Sequence, residues 1–339
     1  MFLLLKCPFI FVRFQKRLLQ ITVVVYAFRM PELPKDWKSY KEQIAILQSR
    51  GMVIDDMAEA EHCLSRIGYY RLSGYSYPFR QYDKTNKKAL DNFKGGTNFS
   101  DVVNLYNFDR KLRLLALDAI ERIELAVQVE VAYLLGKRSV FAHLDAAQFH
   151  GNFSRKKNKD APSQYDEWLK DYAHLVARSK RKPFVEHHLK KYEELPIWVA
   201  IEIFDFGTLS KLYAGMKVQD KIKIESQFGL VTGEEFEQWL RGFNFIRNMA
   251  AHHGRLWNCN VMERAAVPRD KIQLKTLNNA RPFLYFCLMQ SVLKVVCPAS
   301  KWKDEFIALI DSFPQPKNGA VSIADMGVVG VWKNWAIWK

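Results

Sequence analysis

SDVVNLYNFDRKLRLLALDAIERIELAVQVEVAYLLG, residues 100–136, decides the fold class. Val103, Tyr106, Leu112, Leu115, Ala119, Ile123, Ala126 and Val127 recur at helical spacing along the whole run, which makes it one long amphipathic helix. Ser100 and Asp101 supply its N-cap, because their side-chain oxygens accept from backbone N–H groups that a first turn leaves unpaired. Asp109, Arg110, Lys111, Arg113, Glu121, Arg122 and Glu124 fall on the other faces. A helix of this length is expected to bend or break once.

Shorter helical periods flank it at 40–50, 57–67, 198–206, 210–216, 221–228, 234–253, 283–296 and 301–312. In YYRLSGYSYPFRQY, residues 69–82, Gly74 and Pro78 interrupt the period, so a short helix followed by an extended turn is expected. Residues 84–98, with Gly95-Gly96, read as a loop. Residues 152–183, with RKKNKDAPS at 155–163, read as a basic mobile loop or insertion. Strand alternation is scarce and no repeat is visible. The expectation is an all-α bundle: an N-terminal helical segment at 30–98, a helical domain at 99–313, and a C-terminal tail at 314–339.

Hydrophobic residues at 49% and charged residues at 26% describe a folded chain rather than a disordered one. A net charge of +15 favours a polyanionic partner through steering and counterion release, with nucleic acid first and an anionic membrane surface second. Cys7, Cys63, Cys259, Cys287 and Cys297 are odd in number and contain no C-x-x-C pair, which argues against a disulfide framework or zinc ribbon and for a reducing cytoplasm. Residues 1–29 are apolar, but Lys6, Arg13, Lys16 and Arg17 interrupt them, unlike a membrane span or a signal peptide. They are expected to be an extension outside the fold, which Met30 would open. A membrane-associated segment is the alternative, and a cleaved signal stands third.

WLRGFNFIRNMAAHHGRLWN, residues 239–258, carries the chemistry. A neutral imidazole at His252 can take the proton of an RNA 2′-hydroxyl. A guanidinium at Arg247 can stabilise the charge that builds on phosphorus. Asn248 lies one helical turn before His252, where its amide can orient the ring. Arg247 lies well round the helix from His252, so two facing copies would assemble the pair better than one. Spacing alone is weak: Arg138 and His143 repeat it, without an Asn after the arginine. Arg255 is a candidate phosphate ligand, Trp257 a core residue. Glu121 and Glu124 read as a solvated charged face rather than part of the site. For Tyr69, Tyr70, Arg71 and Tyr75, packing against the bundle is preferred to stacking on bases. No Gly-rich phosphate loop and no metal-ligand spacing appears, so neither cofactor nor metal is expected.

RNMAAHHGRLWN at 247–258 resembles the RN-x-x-AHH-x-RLWN signature of Abi-like (abortive-infection) proteins. So do YYRLSGYSYPFR at 69–80, FDRKLRLLALDAIERIE at 108–124, FGTLSKLY at 206–213 and ADMG at 324–327. The resemblance runs from about Trp37 to the C-terminus and leaves out residues 1–29. It departs from the signature at Val328-Val329, where Phe-Pro would stand. The resemblance implies the HEPN superfamily: a helical bundle whose Arg-x4–6-His motif forms a metal-independent ribonuclease site at a dimer interface, acting in phage defence. It then places catalysis on Arg247, Asn248 and His252, with His253 as a stand-in, and RNA binding on Arg255 and Asn258. RNA and a second copy are the implied partners, with an antitoxin or small regulatory RNA as restraint. A non-catalytic RNA-binding or partner-docking bundle is the competing reading.

Overall fold

The computed structural model describes residues 35–156, 158, 161–230, 235–267 and 271–339. The expectations for residues 1–29 lie outside these. The chain divides between Ser39 and Tyr40, and the unit Tyr40–Lys339 is the one described below.

Its helices are α1 (Tyr40–Ser49), α2 (Met57–Ile67), α3 (Tyr69–Ser76), α4 (Phe99–Gly136), α5 (Gly151–Ser154), α6 (Gln164–Ser179) and α7 (Pro183–Tyr192). There follow α8 (Ile197–Ala200), α9 (Phe206–Gly215), α10 (Val218–Gln227), α11 (Glu235–Ala251), α12 (Pro282–Val296) and α13 (Trp302–Asp311). Short 3-10 turns join several of them.

The long helix forms without a break. Asn98 caps α4 by accepting from the Ser100 N–H, and its 38 residues extend about 57 Å at 1.5 Å per residue. Leu105, Leu112, Ala116, Ala119, Ile120, Ile123, Val127 and Val131 form its buried stripe. Helices α3, α8, α11, α12 and α13 all pack on it. The Trp302 indole N–H of α13 donates to the Leu115 carbonyl (2.8 Å). One continuous apolar core runs from Ile44 to Trp338.

Three expectations fail. Residues 84–98 are not a loop throughout: β1 (Arg80–Asp83) and β2 (Lys88–Phe93) form an antiparallel hairpin. Asp83 closes its turn by accepting from the Thr85 and Asn86 N–H groups, the local bonding that favours Asp in turns. Residues 152–183 are not a loop throughout either, since half of them form α6. Ser163 and Asp166 make a reciprocal capping box, and Tyr165, Trp168, Tyr172 and Leu175 bury one face at spacings of three and four. The helix expected across 198–206 stops at a 3-10 turn, because Asp205 caps α9 by accepting from Thr208 N–H (2.8 Å).

The tail docks despite Val328-Val329. Trp332 and Trp338 are buried against Phe283 and Phe306, and Gln290 and Lys294 of α12 donate to the Ile337 and Ala336 carbonyls. No helix among the described residues is long and apolar enough to cross a membrane.

Candidate active site

Helix α11 buries Phe236, Trp239, Leu240, Phe243, Ile246 and Ala250, a stripe at spacings of three and four that seats it on α4. Gly242 is needed for close approach to α12: a Cβ there would lie 2.3 Å from the Tyr285 ring.

The helix ends at the motif. The His252 N–H still donates to Asn248 O (3.0 Å), His253 N–H donates back to Ala250 O (3.1 Å), and Gly254 N–H to Met249 O (2.8 Å). This is a Schellman cap, and His253 holds the left-handed position that glycine usually takes, at φ 58°. A Cβ on Gly254 would sit 2.1 Å from Met249 Sδ, so any larger residue there requires the Met249 side chain to move. A side chain in the left-handed region costs about 1 kcal/mol or more. His253→Gly is therefore expected to raise unfolding stability by about 1 kcal/mol. A denaturant titration showing no gain would mean that the imidazole makes a compensating contact.

Beyond the cap, the chain is held from two other elements. Asp109 of α4 is wholly buried. It accepts from the Tyr75 hydroxyl (2.6 Å), Arg113 Nη1 (2.6 Å), Leu256 N–H (3.1 Å) and Trp257 N–H (2.7 Å). Arg113 Nη1 also donates to Tyr75 Oη (2.9 Å) and to the Gly254 carbonyl (3.3 Å). Burial pushes the Asp109 carboxyl upward, while its hydrogen bonds and the Arg113 charge oppose that. Burial, reinforced by Asp109, also pushes the Tyr75 phenol up. Arg71 Nη1 reaches the His253 carbonyl (3.2 Å), and the Arg255 guanidinium donates to the Gly74 carbonyl.

Three strings far apart in the chain thus meet at one corner. Asp109 and Arg113 do not lie on a polar face of α4 as expected; both are buried. A signal for this exists in the sequence, since Asp109 falls in step with Leu105, Leu112 and Ala116 on the apolar stripe. Tyr75 belongs to the same lock, so for it the packing expectation holds.

His252 and His253 are exposed at the corner, and among the described residues no side chain bonds the His252 ring. Arg247 is half-buried, and its Nη1 donates to Asn248 Oδ1 (3.3 Å). The Asn248 amide is therefore turned to the arginine rather than to the imidazole. Glu124 corrects a second expectation. It is half-buried, and burial pushes its carboxyl up to about 7; the Arg247 charge opposes this, while Asp205 and Glu121 reinforce it. Glu121 itself is exposed. Arg255 is engaged with α3, while Asn258 has a buried amide oxygen with no donor opposite and a backbone carbonyl that accepts from Arg281 (3.0 Å). Trp257 is buried, as expected. Among the described residues, no three of His, Cys, Asp or Glu gather as a metal site.

The sequence model for the Abi-like protein family matches residues 62–258, more than half of the chain. The chain belongs to the Abi-like family. The match begins in α2 and ends one residue after Trp257 N–H meets Asp109, so the whole corner lies inside it. No curated protein and no solved structure matches the chain. Within this Abi-like chain, α12, α13 and the docked tail lie beyond the matched region, as does α1.

Proposed function

We propose that this Abi-like protein is an abortive-infection ribonuclease of the HEPN type, acting on RNA in the cytoplasm without a metal ion. The observation that carries the reading is the corner itself. It presents His252 to solvent just past the end of α11, with Arg247 five residues before it and the backbone between 253 and 257 tied down by Asp109, Arg113 and Arg71. His252 takes the 2′-hydroxyl proton, and the 2′-oxygen attacks the adjacent phosphorus. Arg247 stabilises the extra negative charge, and the 5′-oxygen leaves and is protonated. The products are a 2′,3′-cyclic phosphate and a 5′-hydroxyl. Incubating the full-length protein with RNA and with DNA of the same sequence, in EDTA, tests this. Cleavage of RNA alone with those ends is expected, and a magnesium requirement would refute the mechanism.

One observation favours a second reading, a non-catalytic RNA-binding or partner-docking protein. Glu124 feels the Arg247 charge and also those of Asp205 and Glu121, and such acids oppose an approaching phosphate when ionised. A Glu124 carboxyl near 7 carries only part of that charge at neutral pH, so the catalytic reading is preferred.

The working form is proposed to be a homodimer. Arg247 and His252 stand five residues apart, roughly 140° round a helix, so a facing copy completes a site that one helix splits. Support comes from Leu125, Val129 and Tyr133, an exposed apolar stripe that begins beside Glu124 and lines a groove with Trp198. Sedimentation is expected to give a dimer, with Val129→Glu monomeric and poorly active. A Val129→Glu protein that remains an active dimer would place the interface elsewhere.

A further inference from the structure

Helix α3 carries two features that its packing does not explain. Tyr70 is 91% exposed and Tyr77, just past the end of the helix, is 52% exposed. These rings gain little from the core. Between them lies Gly74, among the weakest helix formers. A Cβ at Gly74 would meet nothing within 4 Å, and its φ is not positive, so neither crowding nor backbone conformation calls for glycine. Tyr70, Gly74 and Tyr77 are spaced i, i+4, i+7 and therefore share one face. The result is a helix position without a side chain between two exposed tyrosines whose backbone positions lie about 10 Å apart along the axis. This face adjoins the motif corner: Arg71 follows Tyr70 and holds the His253 carbonyl (3.2 Å), and Arg255 holds the Gly74 carbonyl. Arg80 lies over the Tyr77 ring, 5.9 Å from its centroid.

We propose that this face of α3 is a platform for single-stranded RNA leading to His252. Bases stack on Tyr70 and Tyr77, and the strand passes over Gly74, where the missing side chain lets it approach the helix. Arg71 offers the N–H groups not used on His253 to a phosphate beside the cleaved one. A single strand is the fitting occupant because its unpaired bases have free faces for the rings, which a duplex keeps stacked inside. The net charge of +15 supplies the attraction for a polyanion. The identity of the ligand as RNA rests on the ribonuclease reading above, whereas stacking at these tyrosines can be measured without cleavage.

The test is fluorescence anisotropy with a labelled single-stranded 2′-O-methyl RNA, which lacks the attacking hydroxyl, so that binding is read apart from catalysis. Tyr70→Ala is expected to weaken binding about tenfold, the effect of losing one stacked base, and Tyr70→Phe to retain it. Gly74→Ala is expected to raise the melting temperature while weakening binding several-fold. Unchanged affinity in Tyr70→Ala, or a duplex of equal length binding as tightly as the single strand, would overturn the platform. Binding that depends on Tyr70 in a protein that cuts no unmodified RNA would uphold the platform and remove the ribonuclease reading. Cleavage that ignores Tyr70 and Gly74 would do the reverse.

Discussion

RNA cleavage is expected to fall by roughly a hundredfold to ten-thousandfold in His252→Ala, the range that a positioned general base contributes. Its exposed ring sits at the corner with no bonding partner among the described side chains, so its removal disturbs no packing and leaves the fold intact. Arg247→Lys is expected to lose most of the activity as well, because an ammonium lacks the planar fork that meets two phosphate oxygens. His253 provides an internal control: its ring is exposed, and its backbone is what the cap uses. His253→Ala should leave most of the rate, measured from initial velocities on a defined RNA. Activity that survives in His252→Ala and disappears only when both histidines are replaced would assign the base to either ring. Activity that survives in the double variant would end the imidazole mechanism.

The second large effect is expected at Asp109. Asp109→Ala leaves the buried Arg113 guanidinium without its counter-charge and strips acceptors from two backbone N–H groups and a phenol. Breaking a buried ion pair from one side costs about 3–5 kcal/mol. The loss should appear as a lower denaturant midpoint, together with loss of any cleavage, since the corner backbone is released. A paired replacement, Asp109→Leu with Arg113→Met, separates ion pair from lock. A simple ion pair would be fully repaired by apolar residues. Here Leu256 N–H, Trp257 N–H and Tyr75 Oη would remain unsatisfied, at about 1–3 kcal/mol each, so recovery should be partial. Full recovery of stability would show that the backbone bonds to Asp109 contribute little.

Much of this architecture is legible from apolar period alone. The long helix and the motif helix bury residues at three- and four-residue spacing, and both form where that pattern runs. The hairpin is illegible because its strands are short and only Phe93 is fully buried among their residues. Helix α6 is obscured by the basic run that precedes it, although Ser163, Asp166 and the buried Tyr165, Trp168, Tyr172 and Leu175 are a complete helix-start signature. Arg247, His252 and His253 are visible as a local string. What sets their geometry is not, because Asp109 bonds residues 147 and 148 positions away. A carboxylate on an apolar stripe marks a buried partner without naming it.

The reach of Asp109 also bears on how this protein is born. During synthesis at about 5–20 residues per second, roughly 7–30 seconds separate the making of Asp109 from the making of Trp257. Throughout that interval the buried carboxylate has no backbone N–H to receive, and the histidines have no anchored corner to occupy. A nascent chain that stops short of Trp257 lacks the contact that shapes the site. The ribosome therefore completes most of the polypeptide before the corner around His252 can take its finished geometry.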